Sequence, residues 1–412
     1  MHVVYLVHQF PIDGIATGGA GNYVANMARI MNDHGHKVTV ITEARKGEII
    51  LWHGIQVRKI DGVIKFKKDG RPLKTWQKFI KNLSRSFAYN REVARVNKMD
   101  KVDIVQSASS YGIPFLRLKD IPYIVRISEY PSLWSGAARK NFDFEKCVKA
   151  KRLDEEVSFR AMKKADALLM PSFLMKELIY ARVGKMGIVI ESPVVIRERE
   201  LTRLQEITLL QGEYLLTYGS LSYRKEIHIL KKVIREFLER YPDKKFIVIG
   251  RDREILVNGH FIMASEYLRE NLKENNLRLI IMGEIQDRMR LFNIVKNAYA
   301  CVLPTRIDNL PNTVLEAMSL GKIVISSTSE YGTSVEQLIV DGTNGFLAQV
   351  EDSDDIMRKI HQVMCMSADE RARIENAAKE RTSKLDPESV YQKMIALYES
   401  TIAKTNGNSD GF

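Results

Sequence analysis

The stretch YACVLPTRIDNLPNTVLEAMSLGKIVISS, residues 299–327, decides how the chain is read. Its two ends, YACVL and KIVIS, are brief apolar runs of the kind that form buried strands. Between them lies a polar stretch with two acids, Asp308 and Glu316, flanking Asn309-Leu310-Pro311-Asn312. Pro311 suits a helix start, and either Asn309 or Asn312 can cap it. NTVLEAMSLG then reads as a helix with Gly321 just past its end. The free first-turn N–H groups of such a helix can hold an anion. Glu316, about one turn in, has the two oxygens that vicinal hydroxyls need, and Asp308 can hold another polyol. A plainer reading is a capped helix in which Glu316 gains ~0.3–1 kcal/mol from the dipole. Spacing alone leaves both open.

Outward from this stretch the same alternation recurs. HVVYLVH, KVTVIT, DIVQS, PYIVRI, ALLMPS and GIVIES read as strands in the first half, and YLLTYGS, KFIVIG and LRLIIMG join YACVLPT and KIVISS in the second. AGNYVANMARIMNDHG and DFEKCVKAKRLDEEVSFRAMKKAD read as helices between them. Strand–helix alternation predicts βαβ units and parallel sheets covered by helices. With 412 residues, one core is improbable. The pattern predicts two doubly wound Rossmann-like α/β domains, 1–195 and 205–385, joined by a connection over 193–213 that lacks strand character. A last helix, about 386–404, is a candidate to pack back on the first domain, and the Gly-rich tail TNGNSDGF reads as disordered.

Composition narrows the classes. No run approaches the ~18 apolar residues of a membrane span, and the N-terminus reads as a first strand rather than a secretion signal. The three cysteines, Cys147, Cys301 and Cys365, are unclustered; no disulfide framework or zinc site is predicted, and a reducing cytoplasm fits. The eight histidines show no ligand spacing; His8 ends the first strand, and His34 and His36 flank a turn. Asp-x-Asp within EDSDD (351–355) reads as a surface helix start rather than a metal site. The net charge of +12 is uneven: residues 1–195 hold about 33 basic and 19 acidic side chains, the remainder about 30 and 32. The segment 65–98 is especially basic. From Trp76 it predicts an amphipathic helix carrying Phe79, Leu83, Phe87 and Val93 with Lys78, Lys81, Arg85 and Arg91 interleaved. No nucleic-acid motif accompanies it; it is either a solvated helix or a seat on an anionic membrane.

The stretch 308–321 resembles the nucleotide-sugar motif of retaining GT-B glycosyltransferases, the large family that includes phosphatidylinositol mannosyltransferases and sucrose synthases. That motif is an acid, seven residues, a Glu, a small-residue helix and a Gly; Asp308, Glu316, Ala317, Met318 and Gly321 stand in those places, with Asp for the commoner Glu at 308. The Asn-Leu-Pro-Asn variant is that of bacterial polysaccharide enzymes. The resemblance implies that Glu316 holds the donor ribose. It implies that Asp308 and the backbone from Asn309 through Leu310 and Pro311 to Asn312 hold sugar hydroxyls and phosphate, with Ile285 a further donor contact. Gly18 and Gly19, in the glycine loop after the first strand, correspond to a loop near the donor phosphates and acceptor; read alone, the pair is more often a turn.

In YGSLSYRKEIHIL the family's phosphate-binding Lys is matched by Lys225, whose plainer reading is a helix-surface lysine. The family's Arg is replaced by Ser220, leaving Arg224 as the candidate substitute, although a neighbouring residue points elsewhere unless the loop is rebuilt. Two frequent family histidines are also absent, at Ala108 and near Ser128. Arg126, Glu129 and Tyr130 remain candidates for the acceptor side; Arg126 and Glu129 read equally well as a structural pair.

The function implied is retaining, metal-independent sugar transfer from a nucleotide diphosphate sugar to a glycan or lipid-linked acceptor, in the cytoplasm or on the inner membrane face, without a cofactor. Lys225, Asp308 and Glu316 are the candidate catalytic residues. A GT-B epimerase and a non-catalytic nucleotide-sugar-binding subunit are the alternatives.

Overall fold

The run His2–Val7 is buried along its whole length, forms β1, and pairs in parallel with strands on both sides. A strand covered on both faces needs a continuous apolar sequence rather than an alternating one, and HVVYLV supplies it. A computed structural model describes residues 1–12, 18–66, 73–127, 129–196, 212–272 and 277–407. Most of the 193–213 connection and the last five residues of the tail lie outside these. The chain divides into two units: unit 1 comprises Met1–Ser132, Lys146–Pro193 and the chain from Asp386 onward, and unit 2 comprises Leu133–Glu145 and Val194–Leu385.

In unit 1, β1 is followed by α1 (Gly19–Asp33), β2 (Lys37–Glu43), β3 (Glu48–Trp52), β4 (Ile55–Ile60), α2 (Thr75–Met99), β5 (Ile104–Ala108) and β6 (Tyr123–Arg126). Helix α3 (Pro131–Ala137) then crosses into unit 2, and the chain returns within α4 (Phe144–Lys149), followed by α5 (Leu153–Lys164), β7 (Ala167–Met170), α6 (Phe173–Val183) and β8 (Ile188–Val189). The sheet order is β3-β4-β2-β1-β5-β6-β7-β8, parallel except for the β3–β4 pair. That hairpin was not anticipated. Its turn, His53-Gly54, takes positive φ at both residues (47° and 79°), which the usual Asn-Gly signal would have advertised and His-Gly does not. The long helix expected over 143–166 is two, α4 and α5. Arg152 takes an extended conformation at the break, and its guanidinium pairs with Asp154 and Glu155 on the first turn of α5.

Unit 2 contains β9 (Tyr214–Tyr218), α7 (Ile227–Arg240), β10 (Lys245–Ile249), β11 (Glu254–Val257), β12 (His260–Met263), α8 (Ala264–Arg269), β13 (Leu279–Met282), α9 (Arg288–Asn297), β14 (Ala300–Val302), α10 (Asn312–Ser319), β15 (Val324–Thr328), β16 (Phe346–Gln349), α11 (Ser353–Met364) and α12 (Ala368–Ser383). Its parallel sheet runs β13-β10-β9-β14-β15-β16, and β11–β12 form a separate hairpin. Asp352 caps α11 by accepting from Asp354 and Asp355 N–H, so EDSDD opens a helix as expected. One close approach shapes the carboxyl edge of this sheet: a Cβ on Gly250 would lie 1.7 Å from the Gly219 carbonyl, so only glycine lets the turns after β9 and β10 meet.

The last helix, α13 (Pro387–Gly407), belongs to unit 1. Its Tyr398 hydroxyl lies 3.0 Å from the Tyr5 hydroxyl of β1 and donates to Gln106 Oε1 of β5 at 2.7 Å, all buried. His34 and His36 bond Glu388 and the Tyr391 hydroxyl, each at 2.9 Å, so the histidines flanking the first turn serve to hold this helix. Tyr398→Phe leaves the Gln106 carbonyl unsatisfied and is expected to destabilise unit 1 by about 1–3 kcal/mol. Urea unfolding followed by far-UV CD checks this; an unchanged midpoint would mean that apolar packing alone holds α13.

Candidate active site

The core of the site lies in unit 2, where β9 ends. Gly219 (φ 129°) turns the chain, Ser220 and Ser222 follow, a single 3₁₀ turn spans Tyr223–Lys225, and Glu226 takes left-handed φ 51° before α7 begins. That turn rebuilds the loop so that neighbouring side chains reach one place. Arg224 Nη1 and Lys225 Nζ both donate to Oδ2 of Asp308, at 3.0 and 2.7 Å. The carboxylate's other oxygen accepts the Asn309 N–H at 2.8 Å, and the Asp308 N–H donates to the Thr333 carbonyl. Burial would raise the Asp308 pKa, but the two cations outweigh it and hold it at about 2. Lys225 is lowered by burial, against the pull of Asp308.

A cavity opens beside this cluster at the carboxyl end of β9, lined by Gly219, Ser220, Ser222, Lys225, Pro304 and Thr313. Thr313 stands at the start of α10, whose cap position is Pro311, with no side-chain cap; neither Asn309 nor Asn312 caps it. Pro311 cannot donate, and the first-turn N–H groups remain without a capping side chain. One turn in, Glu316 pairs with Arg288 of α9. Burial raises the Glu316 pKa while Arg288 opposes the shift. Gly321, at φ 71°, follows the helix end. Leu310 is buried in the core beneath the loop, and Ile285 packs half-buried against that core.

In unit 1, Gly18 is the cap residue of α1 and Gly19 its first residue; no side chain caps the helix, and a Cβ on Gly18 would meet nothing within 4 Å. Its φ of −73° needs no glycine, so the residue leaves room rather than permitting a turn. Arg126 ends β6, buried, with its guanidinium 3.6 Å over the Tyr23 ring and Nη2 donating to Ser192. Its described partners do not include Glu129, which instead bears on Tyr111. Tyr130 is a correction: it is fully buried, packs against Phe159 and donates to the Val148 carbonyl, so it is a core residue rather than an acceptor contact. Ala108 is buried at the end of β5, and Ser128 lies outside the described residues.

Sequence reasoning missed Arg306, Glu226 and Arg288. Arg306 has no exposed surface at all. Glu226 is buried and accepts from Ser327 Oγ and the Glu351 N–H. All three lie outside motif positions, and only the partners brought by folding mark them.

Residues 202–381 match the family Glycosyl transferases group 1, and residues 17–189 match Glycosyltransferase Family 4. The chain belongs to the GT-B glycosyltransferases. The glycosyltransferase is therefore an enzyme of a retaining family that uses a nucleotide-sugar donor. It is 22% identical to a D-inositol 3-phosphate glycosyltransferase of Nocardiopsis dassonvillei, over 96% of this chain and 94% of that one. Its fold is that of sucrose-phosphate synthase from Thermosynechococcus elongatus (TM-score 0.74, 15% identity, 98% and 99% of the two chains). It is also that of the catalytic domain of starch synthase IV from Arabidopsis thaliana, bound to ADP and acarbose (TM-score 0.70, 13% identity, 98% and 99%). An Anabaena protein in complex with UDP and glucose is similar as well (TM-score 0.68, 14% identity, 97% and 100%).

In the glycosyltransferase, the depressed pKa of Asp308 makes a pH-dependent contribution to stability. It is present above the unfolded value near 4 and is lost as pH falls through about 2. Asp308→Asn should cost on the order of 2 kcal/mol at pH 7, a deficit that narrows as pH drops below 4. Paired urea melts, taken down to the lowest pH at which both proteins stay folded, measure it; a constant deficit would locate the loss elsewhere.

Proposed function

We propose that this glycosyltransferase moves a hexosyl group from a nucleoside diphosphate sugar to a glycan or lipid-linked acceptor, with retention and without a metal. The observation that carries the donor half is the convergence of Arg224 and Lys225 on one carboxylate oxygen beside the open N-terminus of α10. On this reading the donor diphosphate takes the place of the Asp308 carboxylate on the two cations, and Asp308, released, turns to the sugar hydroxyls. Glu316 takes the ribose. Charge developing on the departing diphosphate is stabilised by Lys225, Arg224 and backbone N–H groups, and the same phosphate can receive the acceptor proton.

A nucleotide-sugar panel followed by product analysis tests this: transfer to an acceptor supports it, whereas an epimerised free sugar nucleotide or binding without turnover overturns it. Lys225→Ala should lower kcat by about 10²-fold or more and raise donor KM less, because its charge matters most as the diphosphate leaves. Equal activity would move the phosphate grip away from Lys225.

For the acceptor half we read unit 1 as the side that meets an anionic membrane on the inner face, where a lipid-linked acceptor lies. No helix among the described residues is long and apolar enough to cross a membrane. Trp76 (51% exposed), Ile80 (38%) and Phe87 (58%) mark an outer stripe of α2. Arg91 lies over the Phe87 ring, and Lys78 is partly exposed nearby. Arg85 does not belong to this group: it is buried, paired with Glu43 and stacked on Tyr111, because its side of the helix faces inward. Basic residues near an anionic surface add about 1 kcal/mol each and salt weakens them. The protein should sediment with anionic vesicles and release at high salt, and Trp76→Ser with Lys78→Glu and Arg91→Glu should abolish binding without unfolding. A parent that ignores such vesicles at low salt would favour a soluble acceptor.

A further inference from the structure

The segment Leu133–Glu145 interrupts unit 1 in sequence yet sorts with unit 2. Arg306, among the largest fully buried side chains of the described residues, holds it there. The guanidinium donates to the carbonyls of Ala137 (3.3 Å), Arg139 and Lys140 (2.8 Å), and pairs with Glu351. The Ala137 carbonyl is one that the end of α3 leaves without a helical partner, at the negative end of its dipole, and those of Arg139 and Lys140 follow in the turn beyond it. Burying a guanidinium is costly unless its donors are met, so the strap and Arg306 need each other. Farther along, Phe144 stacks on Tyr331 at 4.3 Å and Phe142 meets the same ring edge-on.

The strap also reaches the phosphate-binding cations. The main-chain N–H of Arg306 donates to the Arg224 carbonyl at 3.0 Å, and Thr305 Oγ1 donates to the same oxygen. From the strap itself, the Trp134 ring lies 5.7 Å from the Arg224 guanidinium carbon. Arg224 is thus held by Asp308 at its tip, by the Thr305 hydroxyl and the Arg306 N–H at its root and by an aromatic face alongside. A ligand that displaces Asp308 leaves the other two holds in place.

We propose that the strap Leu133–Glu145 is a positioning element of the donor site: Arg306 clasps it to unit 2, and Trp134 sets the Arg224 guanidinium where the donor diphosphate meets it. The inference rests on the donor reading above and adds a segment from the first half of the chain to that site. Trp134 is a positioning residue, acting through Arg224 on phosphate and not on the nucleoside.

Calorimetry with UDP, ADP and GDP, and with uridine, adenosine and guanosine, separates these roles. With whichever pair the parent binds, Trp134→Leu should weaken the diphosphate about tenfold and leave the nucleoside unchanged. Trp134→Phe should restore most of the loss, and Trp134→Leu should add nothing in an Arg224→Ala background. Equal weakening of diphosphate and nucleoside, an unchanged diphosphate affinity, or full additivity with Arg224→Ala would overturn the proposal. A protein with Trp52→Phe and Trp76→Phe, retaining Trp134 as its sole tryptophan, gives a second measure without altering the strap. Its emission should shift on saturation with diphosphate and not with nucleoside, and a silent Trp134 would also overturn the proposal. A parent that binds none of the three diphosphates defeats the donor reading itself, a result distinct from diphosphate binding that Trp134 does not affect.

Discussion

One carboxylate oxygen organises the loops at the carboxyl end of β9. Asp308 Oδ2 takes both Arg224 and Lys225, and for them to arrive together the β9–α7 loop must close into a 3₁₀ turn and place Glu226, a non-glycine residue, in left-handed conformation. Such a residue costs roughly 1–2 kcal/mol. Glu226 offsets this through its own carboxylate, which accepts from Ser327 Oγ and the Glu351 N–H, tying the loop to β15 and to the turn before α11. Glu351 in turn pairs with Arg306. The cations, the strained turn and the buried arginine are therefore one connected network, and a change at any member is felt at Asp308.

Much of the frame was legible because parallel strands buried on both faces tend to be nearly continuous in apolar residues, as β1, β9 and β10 are. The β3–β4 hairpin was not, because β3 is a half-exposed edge strand with its large apolar residues, Ile49 and Leu51, facing out. The loop geometry of the site was readable in residue type but not in direction. Arg224 reaches Asp308 only because of the turn, which Tyr-Arg-Lys-Glu does not announce. Tyr130 illustrates the opposite error, since a tyrosine at a strand end suits a cleft, but its hydroxyl finds a main-chain carbonyl inside. Arg306 left no signal at all, because its partners are main-chain carbonyls some 170 residues earlier, invisible to any pattern of side chains.

The charge asymmetry of the sequence also needs partition. Part of the basic excess in the first half is structural: Arg58 is buried with Glu92, Arg85 with Glu43, and Arg117 makes a two-pronged pair with Asp166. Pairs of this kind stabilise little beyond their own desolvation cost but are expensive to break. They subtract from the charge left to act on a surface, and the outer stripe of α2 carries what the argument for membrane attachment can use.

On the proposed reading, both acids assigned to the donor are already paired, Asp308 with Arg224 and Lys225, and Glu316 with Arg288. Donor binding is then an exchange of partners rather than the filling of bare charges. The cations never stand unpaired in a half-buried site, which would cost several kcal/mol, and the carboxylate they release becomes available for hydroxyls at the moment a sugar arrives. An exchange of this kind weakens net affinity, because each phosphate contact replaces an existing ion pair. It also makes binding selective, because a ligand with hydroxyls but no diphosphate cannot free Asp308, and one with a diphosphate but no sugar leaves that carboxylate without a new partner. The strap enters at this step. With Asp308 gone from its tip, Arg224 is still oriented by Trp134, the Thr305 hydroxyl and the Arg306 N–H, so the segment from the first half of the chain matters most when the donor is bound.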